Sequence, residues 1–252
     1  MIKGLYTAAS SMKSVEDNMD VVSNNLSNAD TVGFKRKEGV KRSFPELMMS
    51  RLQKNSRPRE VGSLGTGVHL EETYTDFRPG DFRFTEGELD FAIDGDAFLA
   101  VQTPQGVMYT RAGNLTFNEA DQLVTQQGYQ VLGTDGQPLE NVIGEEINID
   151  GNGEIHSGLF GADSIQITAF DDSSLLSKRG ENLYELGEAE QLAEIPAEVE
   201  LKQYYLEDSN VNIVEEMVRM IEVNRLYEAN QKTINALDES LGQAVNQIGQ
   251  VH

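Results

Sequence analysis

The chain has 252 residues and a formal net charge of −22, with three histidines and no cysteine. The lack of cysteine excludes disulfides, thiolate metal sites and cysteine nucleophiles, and three scattered histidines are too few for most zinc sites or histidine bases. The acid is concentrated in residues 61–206, which carry 27 acidic and 6 basic side chains. Such a field repels phosphate backbones and anionic lipid, so we expect no nucleic-acid partner and no direct insertion into a membrane.

The N-terminal segment repeats small and apolar residues at alternating spacings of three and four, which is the heptad pattern of a coiled-coil helix. We predict a helix over residues 1–33 that ends by Gly33. Residues 21–29 within it carry no charge. The repeating positions are Leu5, Ala8, Met12, Val15, Met19, Val22, Leu26 and Ala29.

Residues 34–71 combine basic side chains with prolines and glycines, which predicts a connector. Within it we expect a hairpin or a short helix around residues 46–52. The basic cluster Lys35-Arg36-Lys37 and Lys41-Arg42 is interpreted as a solvated or neutralising linker rather than a nucleic-acid site.

Residues 72–206 show short runs of β-branched and aromatic residues separated by Gly, Asp and Asn, which predicts an inserted, mainly-β domain. Turns are expected at Asp94-Gly95-Asp96 and at Asp135-Gly136. The predicted strands cover residues 91–93, 98–101, 107–110, 128–133, 147–149 and 165–170.

The C-terminal part, residues 207–252, contains a second heptad pattern, which predicts a helix over residues 213–251 about 58 Å long at about 1.5 Å per residue. A further apolar set is expected to broaden the apolar stripe at its start: Val214, Met217, Val218 and Ile221. The repeating positions are Met220, Val223, Tyr227, Asn230, Ile234, Leu237, Leu241, Ala244, Ile248 and Val251. The predicted fold class is therefore α+β, with two long terminal helices in coiled-coil-like packing around an inserted β domain.

Both helices contain stretches without charge, residues 21–29 and 240–252, although 25% of the chain is charged. Exposed helix faces usually carry Glu and Lys, so we infer that these helices are enclosed on more than one side. The alternative is one intramolecular coiled coil with exposed polar faces. Asn230 either fixes the register of the helices or is tolerated beside a polar group of a partner helix.

The chain has no pattern that predicts catalysis. Residues 148–155 resemble the start of an EF-hand loop, but Leu159 stands where the bidentate Glu is needed, which favours a hairpin turn. Adjacent acids such as Glu71-Glu72 follow from composition, and no nucleophile elbow, zinc-protease motif or phosphate loop occurs. We therefore expect no enzyme, no metal and no cofactor.

Three segments closely resemble the flagellar rod and hook protein family. Residues 18–36, with Asn24-Asn25-Leu26 and Gly33-Phe34-Lys35, are similar to its N-terminal signature, and residues 209–230 are similar to its C-terminal motif. A third similarity covers residues 89–133. The resemblance implies a structural rod subunit that polymerises through its terminal helices into a hollow, torque-transmitting axial tube.

The resemblance also implies partners and a location. The partners are further copies of the chain, other rod or hook subunits, and the flagellar export apparatus; the location is the basal body. Export by that route agrees with the lack of a secretory signal or a membrane-spanning segment in the sequence. The alternatives are a hook-type subunit, a cell-envelope adhesin or binding module, and a glycan hydrolase that uses two opposed carboxylates.

The assembly interface expected from this resemblance combines apolar contacts with polar ones. Asn24, Asn25 and Asn28 are expected to form lateral hydrogen bonds, and Gly33 is expected to act as a hinge. The apolar contacts are Leu5, Met12, Val15, Met19, Val22 and Leu26 on the N-terminal side, and Val223, Tyr227, Ile234, Leu237, Leu241 and Ile248 on the C-terminal side.

Overall fold

The structure is a computed structural model that describes a large part of the chain. Two compact units divide it. The first, here the helical unit, comprises residues 1–26, 37–74 and 213–252; the second, the β-rich unit, comprises residues 27–36 and 75–212. The described residues are 2–44, 47–51, 59–65, 67–139, 148–149, 154–157, 160–170, 173, 176–186 and 199–249.

Two long helices flank the β-rich middle of the chain, which confirms the α+β class. Helix α1 covers Ile2–Ser27 and helix α2 covers Ile213–Gly249. The 37 residues of α2 make it about 55 Å long, and two acidic side chains in its first turn stabilise the positive end of the helix dipole. The heptad pattern predicted α2 to within a few residues.

Helix α1 ends at Ser27, six residues before Gly33. Successive turns replace the helix there, because the amide of Thr31 donates to the carbonyl of Asn28 and the amide of Phe34 donates to that of Thr31. Short polar side chains such as Asn28 compete with the helical backbone for hydrogen bonds, which favours termination. The residues after the helix, up to residue 36, belong to the β-rich unit.

The helical unit also contains four strands. Strand β1 (Lys37–Ser43) pairs with β4 (Val68–Thr75), and β2 (Leu47–Arg51) pairs antiparallel with β3 (Arg59–Leu64). The pairing of β2 with β3 confirms the hairpin alternative for residues 46–52 and not the short helix. Residues 46 and 52 themselves lie outside the described residues.

The β-rich unit is built on an eight-stranded sheet with two apolar clusters. Its eight strands are β7 (Ala97–Thr103), β8 (Gly106–Thr110), β9 (Leu115–Phe117), β10 (Leu123–Thr125), β11 (Gln130–Val131), β15 (Ile167–Ala169), β16 (Leu176–Gly180) and β17 (Leu183–Leu186). Strand β7 lies at its centre, paired with β8, β11 and β15, and Leu99 and Val101 on β7 are completely buried.

Smaller sheets complete this unit. They contain β5 (Phe82–Phe84) with β19 (Tyr205–Glu207), β6 (Phe91–Asp94) with β18 (Glu200–Gln203), and β12 (Asn148–Ile149), β13 (Glu154–Ser157) and β14 (Phe160–Ser164). Strands β5 and β6 thus pair with the last strands before α2, so both ends of the β-rich segment meet.

The predicted strands are confirmed most clearly at β6, β7 and β8. The regions predicted at 128–133 and 165–170 form only the short strands β11 and β15, with isolated bridges at Leu132, Gly133 and Ile165. Antiparallel pairing of β12 with β13 agrees with the hairpin interpretation of residues 148–155. Residues 147, 150–153 and 159 lie outside the described part of the chain.

Candidate assembly interface

Helix α1 turns its heptad positions toward the inside of the helical unit. Ala8, Val15 and Val22 are buried, and the other predicted apolar contacts on this helix are half-buried. These half-buried residues are Leu5, Met12, Met19 and Leu26. The apolar contact predicted for α1 is therefore on its less exposed side.

Helix α2 is far more exposed than α1, and its less exposed residues follow one line. Val223 is buried with 5% of its surface exposed, and the remaining positions of that line are half-buried. They are Met220, Tyr227, Asn230, Ile234, Leu237, Leu241 and Ala244, whereas the side chain of Ile248 lies outside the described residues. The line repeats the spacing of three and four found in the sequence; we call it the α2 seam.

Two contacts show how α1 meets the α2 seam. The amide nitrogen of Asn230 donates to the hydroxyl of Ser11 at 3.1 Å, and a Cβ placed on Gly4 would lie 3.6 Å from Leu237 Cδ1. From the first contact to the second, the position moves seven residues back along α1, from Ser11 to Gly4, and seven residues forward along α2, from Asn230 to Leu237. The two helices therefore run antiparallel here. Asn230 thus forms a hydrogen bond with Ser11 of the same chain.

A second face of α2 carries apolar side chains that are largely exposed in the single chain. The sequence predicted that Val214, Met217, Val218 and Ile221 broaden the apolar stripe at the start of the helix, and 50–70% of their surface is exposed in the single chain. Together with Ile213 they form what we call the α2 stripe. Contiguous exposed apolar residues of this kind mark interaction sites in soluble proteins.

The three asparagines near the end of α1 have different surroundings. Asn25 is buried and fixed within the chain, because its amide nitrogen donates to the carbonyl of Lys37 at 2.8 Å and its oxygen accepts the Lys37 amide at 2.9 Å. The Asn28 side chain accepts from the Thr31 hydroxyl at 3.3 Å. Asn24 is exposed.

Gly33 forms a tight turn in the β-rich unit. Its φ is 65°, and its amide donates to the carbonyl of Glu207 at 2.7 Å. A Cβ at this position would lie 2.4 Å from the carbonyl oxygen of Arg111. Both the left-handed backbone and the close approach therefore require glycine.

A buried ionic cluster lies next to Gly33. Lys35 Nζ is 2.5 Å from Glu207 Oε1, and Arg111 Nη1 is 3.2 Å from Glu207 Oε2, with 1% of each side chain exposed. Lys35 also donates to the carbonyl of Arg78 at 2.9 Å. Burial, with the charge of Arg111 adding to it, lowers the pKa of Lys35 to about 8, while Glu207 acts in the opposite direction. The cluster joins the segment after α1 to strand β19.

Asn210 adds further contacts between the segment after α1 and the residues before α2. We call these contacts, together with the ionic cluster, the joint. Its side-chain oxygen accepts the amide of Arg36 at 2.8 Å, and its nitrogen donates to the carbonyls of Asp76 and Arg78 at 2.8 and 3.0 Å. Sequence reasoning missed the joint, because a basic run such as 35–37 is typical of a solvated surface and Glu207 is distant in the chain. Lys35 is instead buried, and its charge is paired with that of Glu207. The end of segment 18–36 and the start of segment 209–230 thus meet.

The described residues contain no cluster of three or more potential metal-ligating His, Asp or Glu side chains. Among the described helices, none is long and apolar enough to cross a membrane.

Comparison with known proteins identifies the family. The chain is 36% identical to the flagellar basal-body rod protein FlgG of Borreliella burgdorferi, with 98% of each chain covered. This chain belongs to the flagellar basal-body rod protein family. Membership makes it a structural protein of the flagellar basal body.

Other relatives and the family models agree. Identity is 33% to the flagellar hook-basal body complex protein FlhO of Bacillus subtilis, with 100% of each chain covered, and 31% to FlgG of the same species, with 98% of this chain and 99% of the relative covered. The models are "Flagella basal body rod protein" over residues 5–35, "Flagellar hook protein FlgE/F/G D1 domain" over 92–169, and "Flagellar basal body rod FlgEFG protein C-terminal" over 202–248.

Proposed function

We propose that this rod-family chain polymerises through α1 and α2 into a hollow, torque-transmitting axial tube. The observation that carries the proposal is the α2 stripe, since 39–70% of the surface of these apolar side chains is exposed in the single chain. Burying them against other subunits gains roughly 25 cal/mol per Å² of apolar surface. Two of the three relatives named above are FlgG rod proteins, which favours a rod over a hook subunit.

The two faces of α2 have different roles in this proposal. The α2 seam contacts α1 of the same chain in coiled-coil-like packing, and the α2 stripe contacts helices of neighbouring copies. The uncharged ends of both helices support this division, because Ser23, Asn24, Gln243 and Asn246 are exposed in the single chain. Such surfaces enter a packed tube without burying an unpaired charge.

Folding of the helices is coupled to assembly. Ordering a residue costs about 1–2 kcal/mol of backbone entropy, and α2 buries little surface to offset that cost in the single chain. We therefore propose that α2 frays in the monomer and is stabilised when the tube forms. The predicted apolar residues of both helices hold α1 against the α2 seam within each subunit and so support the α2 stripe, with Asn24 as a lateral polar contact between subunits and Gly33 as the turn that redirects the chain.

The partners in this proposal are further copies of the chain, other rod or hook subunits, and the flagellar export apparatus during secretion. Family membership supports the assembly partners. No catalytic role is part of the proposal, because the family is structural.

Complementation in cells that lack their own copy of the gene tests the proposal. Val218→Asp adds a charge to the α2 stripe and Leu237→Asp adds one to the α2 seam, whereas Ser177→Asp adds the same charge to an exposed position of β16. We expect both helix variants to abolish swimming and Ser177→Asp to preserve it, while the β-rich unit of all three melts cooperatively as in the unchanged chain. Normal swimming with both helix variants would overturn the proposal.

A further inference from the structure

The β-rich unit has an uncharged groove that the proposed helical interface does not use. We call it the amide groove; its lining includes Gln102, Thr103, Asn118, Gln127, Tyr129 and Gln130, and none of its lining residues carries a charge. The segment that surrounds it, residues 61–206, has 27 acidic against 6 basic side chains. An uncharged surface is therefore a local exception in this unit.

The groove is held in shape by its own amides. The side-chain oxygen of Gln122 accepts from Asn118 at 2.9 Å and from Gln130 at 2.7 Å. Strand register continues the uncharged surface across β8, β7 and β11, where Val107 pairs with Gln102 and Gln102 pairs with Gln130. Val107 is 45% exposed, so it adds an apolar contact beside the groove.

A second uncharged feature of this unit projects from the small β5–β19 sheet. Phe84 is 63% exposed and pairs with Tyr205, whose ring meets it nearly edge-on at 5.4 Å. We call this pair the aromatic knob. The neighbouring Arg83 forms a salt bridge with Asp208 at 3.1 Å. Among the described residues of the β-rich unit, Phe84 and Val107 are the exposed large apolar side chains.

We propose that the aromatic knob of one copy inserts into the amide groove of the next copy in the tube. Copies with this acidic charge repel one another, so contact between them is least costly where an apolar side chain of one copy meets an uncharged surface of the next. A helical polymer also needs two different patches that fit each other head to tail, and the groove and the knob share no residue. This inference rests on the proposed polymerisation and names the contact that the β-rich unit adds to it.

The chemistry of the two patches is complementary. The Phe84 ring offers an apolar face and edge, which pack against Val107 and the Tyr129 ring. A side-chain N–H group of a glutamine can donate to the face of an aromatic ring, which is a weak but favourable contact. The Tyr129 hydroxyl donates to Glu181 at 2.7 Å, which holds its ring in place beside the groove.

Polymerisation of the purified chain measures the contribution of the knob. Phe84→Ala removes an exposed ring, so the fold is retained, and we expect the critical concentration for sedimentable polymer to rise about tenfold, as for an interface hot spot. Gln137→Ala, at an exposed turn outside both patches, serves as the control and leaves that concentration unchanged. Equal critical concentrations for Phe84→Ala and the unchanged chain would overturn the inference.

Crosslinking tests the contact itself. Because the chain contains no cysteine, the introduced thiols are the only ones that can form disulfides. The double variant Gln127→Cys with Glu86→Cys places one thiol in the groove and one near the knob. After oxidation of the polymer we expect a ladder of covalent dimers, trimers and longer chains. The matched variant Gln137→Cys with Glu86→Cys gives no ladder.

The outcomes separate this inference from the proposed function. Polymer without a ladder from Gln127→Cys with Glu86→Cys overturns the knob-and-groove contact alone. Failure of the unchanged chain to polymerise at any concentration overturns the proposed function and this inference with it. A ladder from the groove pair and none from the control supports both.

Discussion

Strand β7 and helix α2 show two opposite ways in which this chain uses apolar residues. Six of the seven residues of β7 are buried inside the β-rich unit. Helix α2 has 37 residues, and among its described side chains only Glu216 and Val223 are buried. The strand packs almost entirely within one chain, whereas the helix has a largely exposed apolar face. Under the proposed function, the β-rich unit is stable alone and the helical unit is stabilised by neighbouring copies.

The largest expected effect comes from breaking the ionic cluster of the β-rich unit. Glu207→Ala leaves Lys35 and Arg111 buried without their anion, and we expect a loss of about 3–5 kcal/mol in the free energy of unfolding. The neighbouring Asp208→Ala removes only an exposed ion pair and is expected to cost less than about 1 kcal/mol. Urea unfolding of both variants measures the difference, and equal losses would show that the cluster does not hold this unit together.

Truncating one apolar side chain on β7 and one on the α2 stripe compares how much each contributes to the stability of the monomer. Leu99→Ala opens a cavity in the β core and is expected to cost about 2–5 kcal/mol. Ile221→Ala on the α2 stripe removes an exposed side chain, so monomer stability should change by less than about 0.5 kcal/mol. The same variant should raise the critical concentration for polymer. Chemical denaturation and sedimentation measure the two quantities; a monomer destabilised equally by both truncations contradicts the comparison.

The anchor at the end of α1 is expected to have a smaller effect. Asn25→Ala leaves the amide and carbonyl of Lys37 without their partner, at a cost of about 1–3 kcal/mol. We expect faster hydrogen exchange of the Lys37 amide. Ser23→Ala, at an exposed position of the same helix, should leave that exchange unchanged. Equal exchange rates in the two variants would mean that Asn25 does not fix this segment.

The mildest effect is a pH dependence of the β-rich unit. The pKa of Lys35 is lowered from 10.5 to about 8, so between about pH 8 and about pH 9.5 the unfolded chain keeps a proton that the folded chain has released. The free energy of unfolding should therefore rise with pH in this window, by at most about 1.4 kcal/mol per unit. Lys35→Met should abolish the rise. Stability that falls over this window in the unchanged chain would contradict the role of burial.

The sequence predicted the two helices and the central strands because their patterns are local and periodic. Residues 213–251 were predicted for α2, which covers Ile213–Gly249, and the apolar runs at β6, β7 and β8 lie where strands were expected. Periodicity did not distinguish which apolar face of α2 is covered. Val218 and Val223 are both apolar and lie close in sequence, but only tertiary contacts decide that one is exposed and the other buried.

The joint between the ends of the β-rich segment was beyond sequence reasoning for another reason. Lys35 and Glu207 are 172 residues apart, and a lysine in a basic run gives no sign of burial. The end of α1 was also set by contacts outside the helix, since Gly33 and Arg36 bond to Glu207 and Asn210. Long-range pairing of this kind has no periodic signal in the chain.

Hydrogen exchange on the purified monomer and on its polymer shows whether α2 is stable only when neighbouring copies are present. The account predicts slow exchange in the monomer for the amides of β7 and for those of Gly33 and Arg36, fast exchange along α2, and slow exchange along α2 once the polymer forms. Protection of α2 in a confirmed monomer equal to that of β7 would contradict it, because the helix would then be complete without neighbouring copies.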